Sequence, residues 1–156
     1  MDASKAIDKL NECLRHEWTG VAQYAQAGFV VSGLWREVYS GMFYDSAKES
    51  FGHAKLVGEK IVAMGGIPTV ERNPIKQTQD LNEMLQHAFE FEQAAVRMYT
   101  EAIAVSEEGD EDRALVVFLE DILKEEQEGV DELTRIIRQH ESSASQAGTS
   151  SASKAG

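Results

Sequence analysis

The 156-residue sequence contains two prolines, Pro68 and Pro74, and both fall in one short stretch. Proline removes a backbone donor and breaks helices, so the chain outside that stretch is free to be helical. Its apolar residues use that freedom. Four stretches, roughly 3–33, 36–64, 79–107 and 111–140, carry a helical repeat; each has about 28 to 31 residues and so spans about 40 to 45 Å. Gly33 separates the first two, and Gly109 with Asp110 the last two, which makes each pair an antiparallel hairpin. Between the second and third lie about 15 residues, Gly65 to Asp80, enough extended chain at ~3.3 Å per residue to travel the length of a bundle. The expected fold class is all-α: a four-helix bundle over residues 1–140 with a long crossover between helices two and three. From Ser142 onward the composition turns to Ser, Ala, Gly, Gln and Thr without a large apolar side chain, so residues 141–156 are expected to form a disordered tail.

A hydrophobic fraction of 42% suffices for one core of ordinary size. The net charge of −12 argues against nucleic acid or an anionic membrane as partner and favours cations. No apolar run is long enough to span a bilayer and no leader pattern opens the chain. The lone Cys13 precludes an intrachain disulfide framework and fits a reducing compartment, so the expected setting is the cytoplasm.

The apolar stripes carry the chemistry. Helix one presents Ile7, Leu10, Leu14, Glu17, Val21, Tyr24, Gly28 and Val31, with a carboxylate where an apolar side chain belongs. Helix three does the same with Leu85, Ala88, Glu92, Ala95 and Tyr99, and helix four with Leu119, Ile122, Glu126, Gly129 and Leu133. Helix two runs Phe43, Ala47, Ser50, Ala54, Val57 and Ile61, with Ser50 at the equivalent place and His53 one turn on. All four positions lie near mid-helix, so Glu17, Ser50/His53, Glu92 and Glu126 share a level whichever way neighbouring helices run. Carboxylates desolvated together repel one another, and a multivalent cation is the simplest compensation. Oxygen ligands with one imidazole suit iron or manganese better than a softer metal. His16, His87 and His140 fall off the stripes and are expected at the surface. Glu49 is placed on an outer flank, and Glu125, Glu128, Asp131 and Glu132 on a solvated face. Trp18, Phe29, Trp35 and Phe43 are either ordinary core or a dimer face on helices one and two.

The segments Leu10-Asn11 through Glu17 to Gln23-Tyr24, Tyr44 to His53-Ala54, Glu83-Met84-Leu85 to Glu92, and Ile122-Leu123-Lys124-Glu125-Glu126 resemble bacterioferritin over about residues 5 to 138. The resemblance implies a ferritin-like fold with a di-iron ferroxidase centre, fed by a glutamate from helices one and three and a Glu-x-x-His from helices two and four. Glu17, His53, Glu92 and Glu126 match that pattern. Ser50 stands for the helix-two glutamate and Gly129 for the helix-four histidine, and Phe51 falls where the family ligates haem, so iron but no haem is implied. The implied partners are Fe(II), oxygen, and further copies or a second ferritin-like subunit. Asp45 and Glu49 match positions turned toward a storage cavity. Three activities follow as expectations: iron binding with oxidation for storage or detoxification, a structural or mineral-nucleating subunit beside an active partner, and an oxidase of a small organic substrate.

Overall fold

A computed structural model describes residues 3–108 and 112–152, with side chains described to residue 138. It contains α1 (Ala3–Val30), α2 (Arg36–Ala63), α3 (Leu81–Glu107) and α4 (Arg113–Ala152), and no strand among the described residues. Glycines at positive φ follow the first two helices, Gly33 at 81° and Gly65 at 86°. Gly66 N–H then returns to the Ile61 carbonyl at 2.9 Å, which satisfies a terminal acceptor of α2. The guanidinium of Arg36 closes the other end, donating to the carbonyls of Gly28 at 3.1 Å and Val31 at 2.6 Å. Asp80 caps α3 by accepting from Glu83 N–H at 3.0 Å, and Asp112 caps α4 by accepting from Leu115 N–H at 3.0 Å. The backbone of α4 continues as helix to Ala152, past the His140 boundary and into the segment expected to lack structure.

Cross-helix contacts fix the topology. Lys5 meets Glu108 and Tyr24 meets Glu92, so α1 and α3 run antiparallel; His53 meets Glu126 and Lys60 lies over the Phe118 ring, so α2 and α4 do too. The crossover runs along α1 in the same direction, held by side chains of that helix. Asn11 donates to the Ile67 carbonyl at 3.1 Å and accepts from Thr69 N–H at 2.8 Å. Trp18 donates to the Thr69 carbonyl, while Thr19 and Gln23 accept from Asn73 N–H and Lys76 N–H at 2.9 and 3.0 Å. Backbone that pairs with neither helix nor sheet is thereby satisfied.

Two apolar clusters fill the interior. Leu10, Leu14, Val57, Ile61, Leu115 and Leu119 belong to one, and Tyr24, Phe43, Leu85, Phe91 and Leu133 to the other. Phe43 is wholly buried against Tyr24 and Tyr39, so it is core and not part of a docking face. Trp18 is half-buried beside Phe51, whereas Phe29 and Trp35 are more than half exposed with Leu34 and Val38. No helix is long and apolar enough to cross a membrane among the described residues.

Gly20 permits the closest approach near mid-height, because a Cβ there would lie 2.5 Å from both the Phe91 ring and Ser50 Oγ. Gly20→Ala is expected to destabilise the fold by about 1–3 kcal/mol, the range for overpacking, as read by urea unfolding. A variant as stable as the parent would mean that Phe91 can swing aside.

Candidate metal centre

Helical spacing delivers Glu17, His53 and Glu126 to one buried layer between the two apolar clusters, where their ligand atoms all lie within 4.8 Å of one another. His53 Nδ1–H donates to Glu126 Oε1 at 2.8 Å, with Glu17 Oε1 at 3.5 Å. On the other edge of the ring, Nε2–H donates to Glu125 Oε2 at 2.5 Å. With a carboxylate on each nitrogen the ring is an imidazolium. Burial opposes that charge, but hydrogen bonds to Glu126 and Glu17 outweigh it and carry the pKa to about 11.

Glu92 completes the layer from α3. It shares a hydrogen bond with Glu126, and its Oε1 accepts from the Tyr24 hydroxyl at 2.5 Å. Burial, then the hydrogen bond and charge of Glu126, push its pKa up to about 9, so at neutral pH it is the protonated partner. Burial also raises Glu126, to about 7, against the pull of His53. Across the layer the Tyr99 hydroxyl donates to Glu17 Oε1 at 2.8 Å. The two tyrosines form a reciprocal pair: each lies two turns beyond the glutamate of its own helix and bonds the glutamate of the other, an exchange that antiparallel α1 and α3 allow. Glu17 Oε2 is buried without a hydrogen-bond partner. A buried carboxylate oxygen without a partner, on a side chain grouped with Glu126 and His53, is the feature that a cation would satisfy, so the residues present fit a metal ion.

The remaining positions fall as follows. Ser50 is buried beneath the layer with its Oγ toward Gly20. Gly129 faces Glu92, and a Cβ there would come within 3.2 Å of Glu92 Oε2. The missing side chain leaves a cleft of about 240 Å³, lined by Tyr24, Glu49, Glu92, Glu125, Glu128 and Gly129 among others. Glu49 is exposed on the flank where the sequence put it, with its pKa raised by partial burial despite His53 nearby.

His16 corrects a sequence expectation. It is buried, stacked on Phe91 at 4.0 Å and 10°, and its Nε2–H donates to the Phe91 carbonyl at 2.9 Å. Burial lowers its pKa to about 4, so it is neutral. A helix packed on two neighbours buries more than one narrow stripe, which is why a flank position ended inside. His87 is half-buried with Nδ1 enclosed, and the side chain of His140 lies outside the described residues. Sequence reasoning missed two hydrogen-bonding roles, those of Glu125 and of the tyrosine hydroxyls. The tyrosines had a signal in the repeated Glu-x6-Tyr of helices one and three; Glu125 had none beyond standing next to Glu126.

Residues 7–142 match the model of the ferritin-like domain. Among solved structures, the chain resembles a ferritin-like, diiron-carboxylate protein of Bacillus anthracis str. Ames, with 31% identity, a TM-score of 0.83, and coverage of 88% of this chain and 98% of that one. It also resembles a dodecameric thioferritin, the bacterioferritin-related protein of Bacteroides fragilis, with 27% identity, a TM-score of 0.79, and coverage of 91% and 92%. No curated protein sequence gives a significant match.

The protonation states imply a pH dependence. Glu92, Glu126 and His53 all have raised pKa values in the fold, so the folded chain binds more protons than the unfolded one from about pH 4.5 upward. Stability of the chelator-treated protein is therefore greatest at the acid end of that window and falls as pH rises through about 7 and 9. Thermal melts in EDTA are expected to give a lower midpoint at pH 9 than at pH 6, with a divalent cation restoring the loss. Equal midpoints would remove the electrostatic strain assigned to this layer.

Proposed function

The chain belongs to the ferritin-like family, and from that premise we propose that it binds Fe(II) in the core of its bundle and oxidises it with oxygen, for iron storage or detoxification. The observation that supports this reading is the convergence of Glu17, His53 and Glu126 around an oxygen without a partner, with Glu92 adjoining them. Glu17, Glu126 and His53 would hold one iron. Glu92 would bind on losing its proton, and bound iron supplies the change of oxidation state while the protein fixes its surroundings. Ser50 offers a neutral hydroxyl and Gly129 offers nothing, so a second iron would be held more weakly than the first.

That same depletion favours a second reading, in which the chain is a structural or mineral-nucleating subunit beside a ligand-complete partner; co-purification of such a partner would support it. Several copies are proposed to assemble, since Phe29, Leu34, Trp35 and Val38 leave a large apolar patch at the α1–α2 turn. A cytoplasmic setting is proposed on the single buried thiol of Cys13.

An iron-edge anomalous map from crystals soaked anaerobically in Fe(II) is expected to show a peak within bonding distance of Glu17, His53 and Glu126. Glu126→Ala should weaken Fe(II) binding at least about tenfold, or about 1.4 kcal/mol, in anaerobic titration. If Glu92→Ala leaves air oxidation of added Fe(II) unchanged, the core is not the ferroxidase.

A further inference from the structure

Beside the face that supplies Glu17, α1 has a second polar face. His16, Thr19 and Gln23 recur there at helical spacing, each more than nine-tenths buried, and they line a cleft of about 280 Å³ that the crossover and α3 complete. Thr19 is spent, since its hydroxyl donates to the Arg15 carbonyl at 2.8 Å and accepts from Asn73 N–H at 2.9 Å. The other two each keep an atom free. Gln23 Oε1 accepts from Lys76 N–H at 3.0 Å, which fixes Nε2 as the donor end, and that donor has no partner among the described residues. His16 gives Nε2–H to the Phe91 carbonyl at 2.9 Å, which leaves Nδ1 of the neutral ring as a bare acceptor. On the α3 side, His87 has an enclosed Nδ1 that is likewise without a hydrogen-bond partner.

Charge sets this cleft apart from the rest of the chain. The net charge is −12, yet among the residues lining the cleft Glu90 alone is acidic, and Lys76 Nζ pairs with it at 2.6 Å. Arg97 also lines the cleft and forms no ion pair among the described residues, so its charge is left uncompensated. A guanidinium favours the oxygens of an anion, Gln23 Nε2 needs an acceptor, and His16 Nδ1 needs a donor. We infer that the cleft between α1, the crossover and α3 binds a small oxyanion that carries its own O–H, such as hydrogenphosphate or hydrogencarbonate. The charged oxygens of the anion meet Arg97 and Gln23, and its hydroxyl donates to His16. A fully deprotonated oxyanion such as sulfate sets a lone pair against the buried acceptor of His16 and is held less well. The inference uses none of the side chains assigned to the metal centre and stands or falls apart from it.

Calorimetric titration of the full chain, desalted after chelator treatment and held at pH 8 and fixed ionic strength, tests the assignment. An imidazole of ordinary pKa, about 6.5, is neutral at that pH, so the His16 acceptor is present. Hydrogenphosphate is expected to bind at one site per chain, about tenfold tighter than sulfate. A parallel titration with hydrogencarbonate shows which of the two anions the cleft selects. Arg97→Gln, at an exposed position, should weaken hydrogenphosphate binding at least about tenfold and leave the melting temperature of the unliganded chain unchanged. His16→Phe, which keeps the stack on Phe91, should abolish the preference over sulfate. Absence of binding, equal affinity for hydrogenphosphate and sulfate, or a hydrogenphosphate affinity untouched by Arg97→Gln overturns the proposal. Should His16→Phe fail to fold, the comparison of anions and Arg97→Gln decide it alone.

Discussion

A carboxylate that leaves water for an apolar interior forfeits solvation worth several kcal/mol even after the protein relaxes. This bundle sets Glu17, Glu92 and Glu126 in one layer with a single imidazole among them. Everything around the layer works to make that tolerable. Glu92 keeps its proton and donates it to Glu126, His53 carries a full positive charge, and each of two buried tyrosines gives its hydroxyl to a glutamate. The close packing of Gly20 on Phe91 and the latch from His16 to the Phe91 carbonyl hold α1 and α3 together next to the residues that supply Glu17 and Glu92. The result is a core stable enough to fold yet still short of positive charge.

Most of the fold was legible because helical periodicity and breakers are local signals. The break at Gly33, the Gly65 stop and the extended crossover all come from residues that act on their own backbone. The level of the site was legible for the same reason: a glutamate in an apolar stripe stands out, and counting from helix ends places it. What escaped were effects that need two helices at once. The wheel assigns His16 to a flank, and only the arrival of Phe91 from α3 encloses it. Phe43 stood open between core and a dimer face, and its contact with Tyr24 of α1 settles it as core. Glu125 reads as one more acid on a solvated face, and its reach to His53 Nε2 depends on where α2 lies.

The two halves of the bundle furnish the layer differently. In α1 and α3 the glutamates and tyrosines are matched and exchange hydrogen bonds. In α2 and α4 the contribution is one side chain each, His53 and Glu126, and the two bond each other at 2.8 Å. One turn beyond Glu126, Gly129 has no side chain to cover Glu92, and the cleft reaches the layer there. The residue that adds nothing to the layer is thus the one that leaves it open.

The crossover is gripped through its main chain. Asn11, Trp18, Thr19 and Gln23 read amides and carbonyls of the strap, while side chains such as Ile67 and Val70 stand 87% and 85% exposed. Its path is therefore written on the polar face of α1, and outward side chains such as Ile67 and Val70 take little part in it, although Glu71 and Lys76 pair with Arg15 and Glu90. Natural variation can rewrite the outward residues of this segment without moving it, which makes it the stretch of surface where a lineage could acquire or abandon a neighbour with least disturbance to the centre beneath.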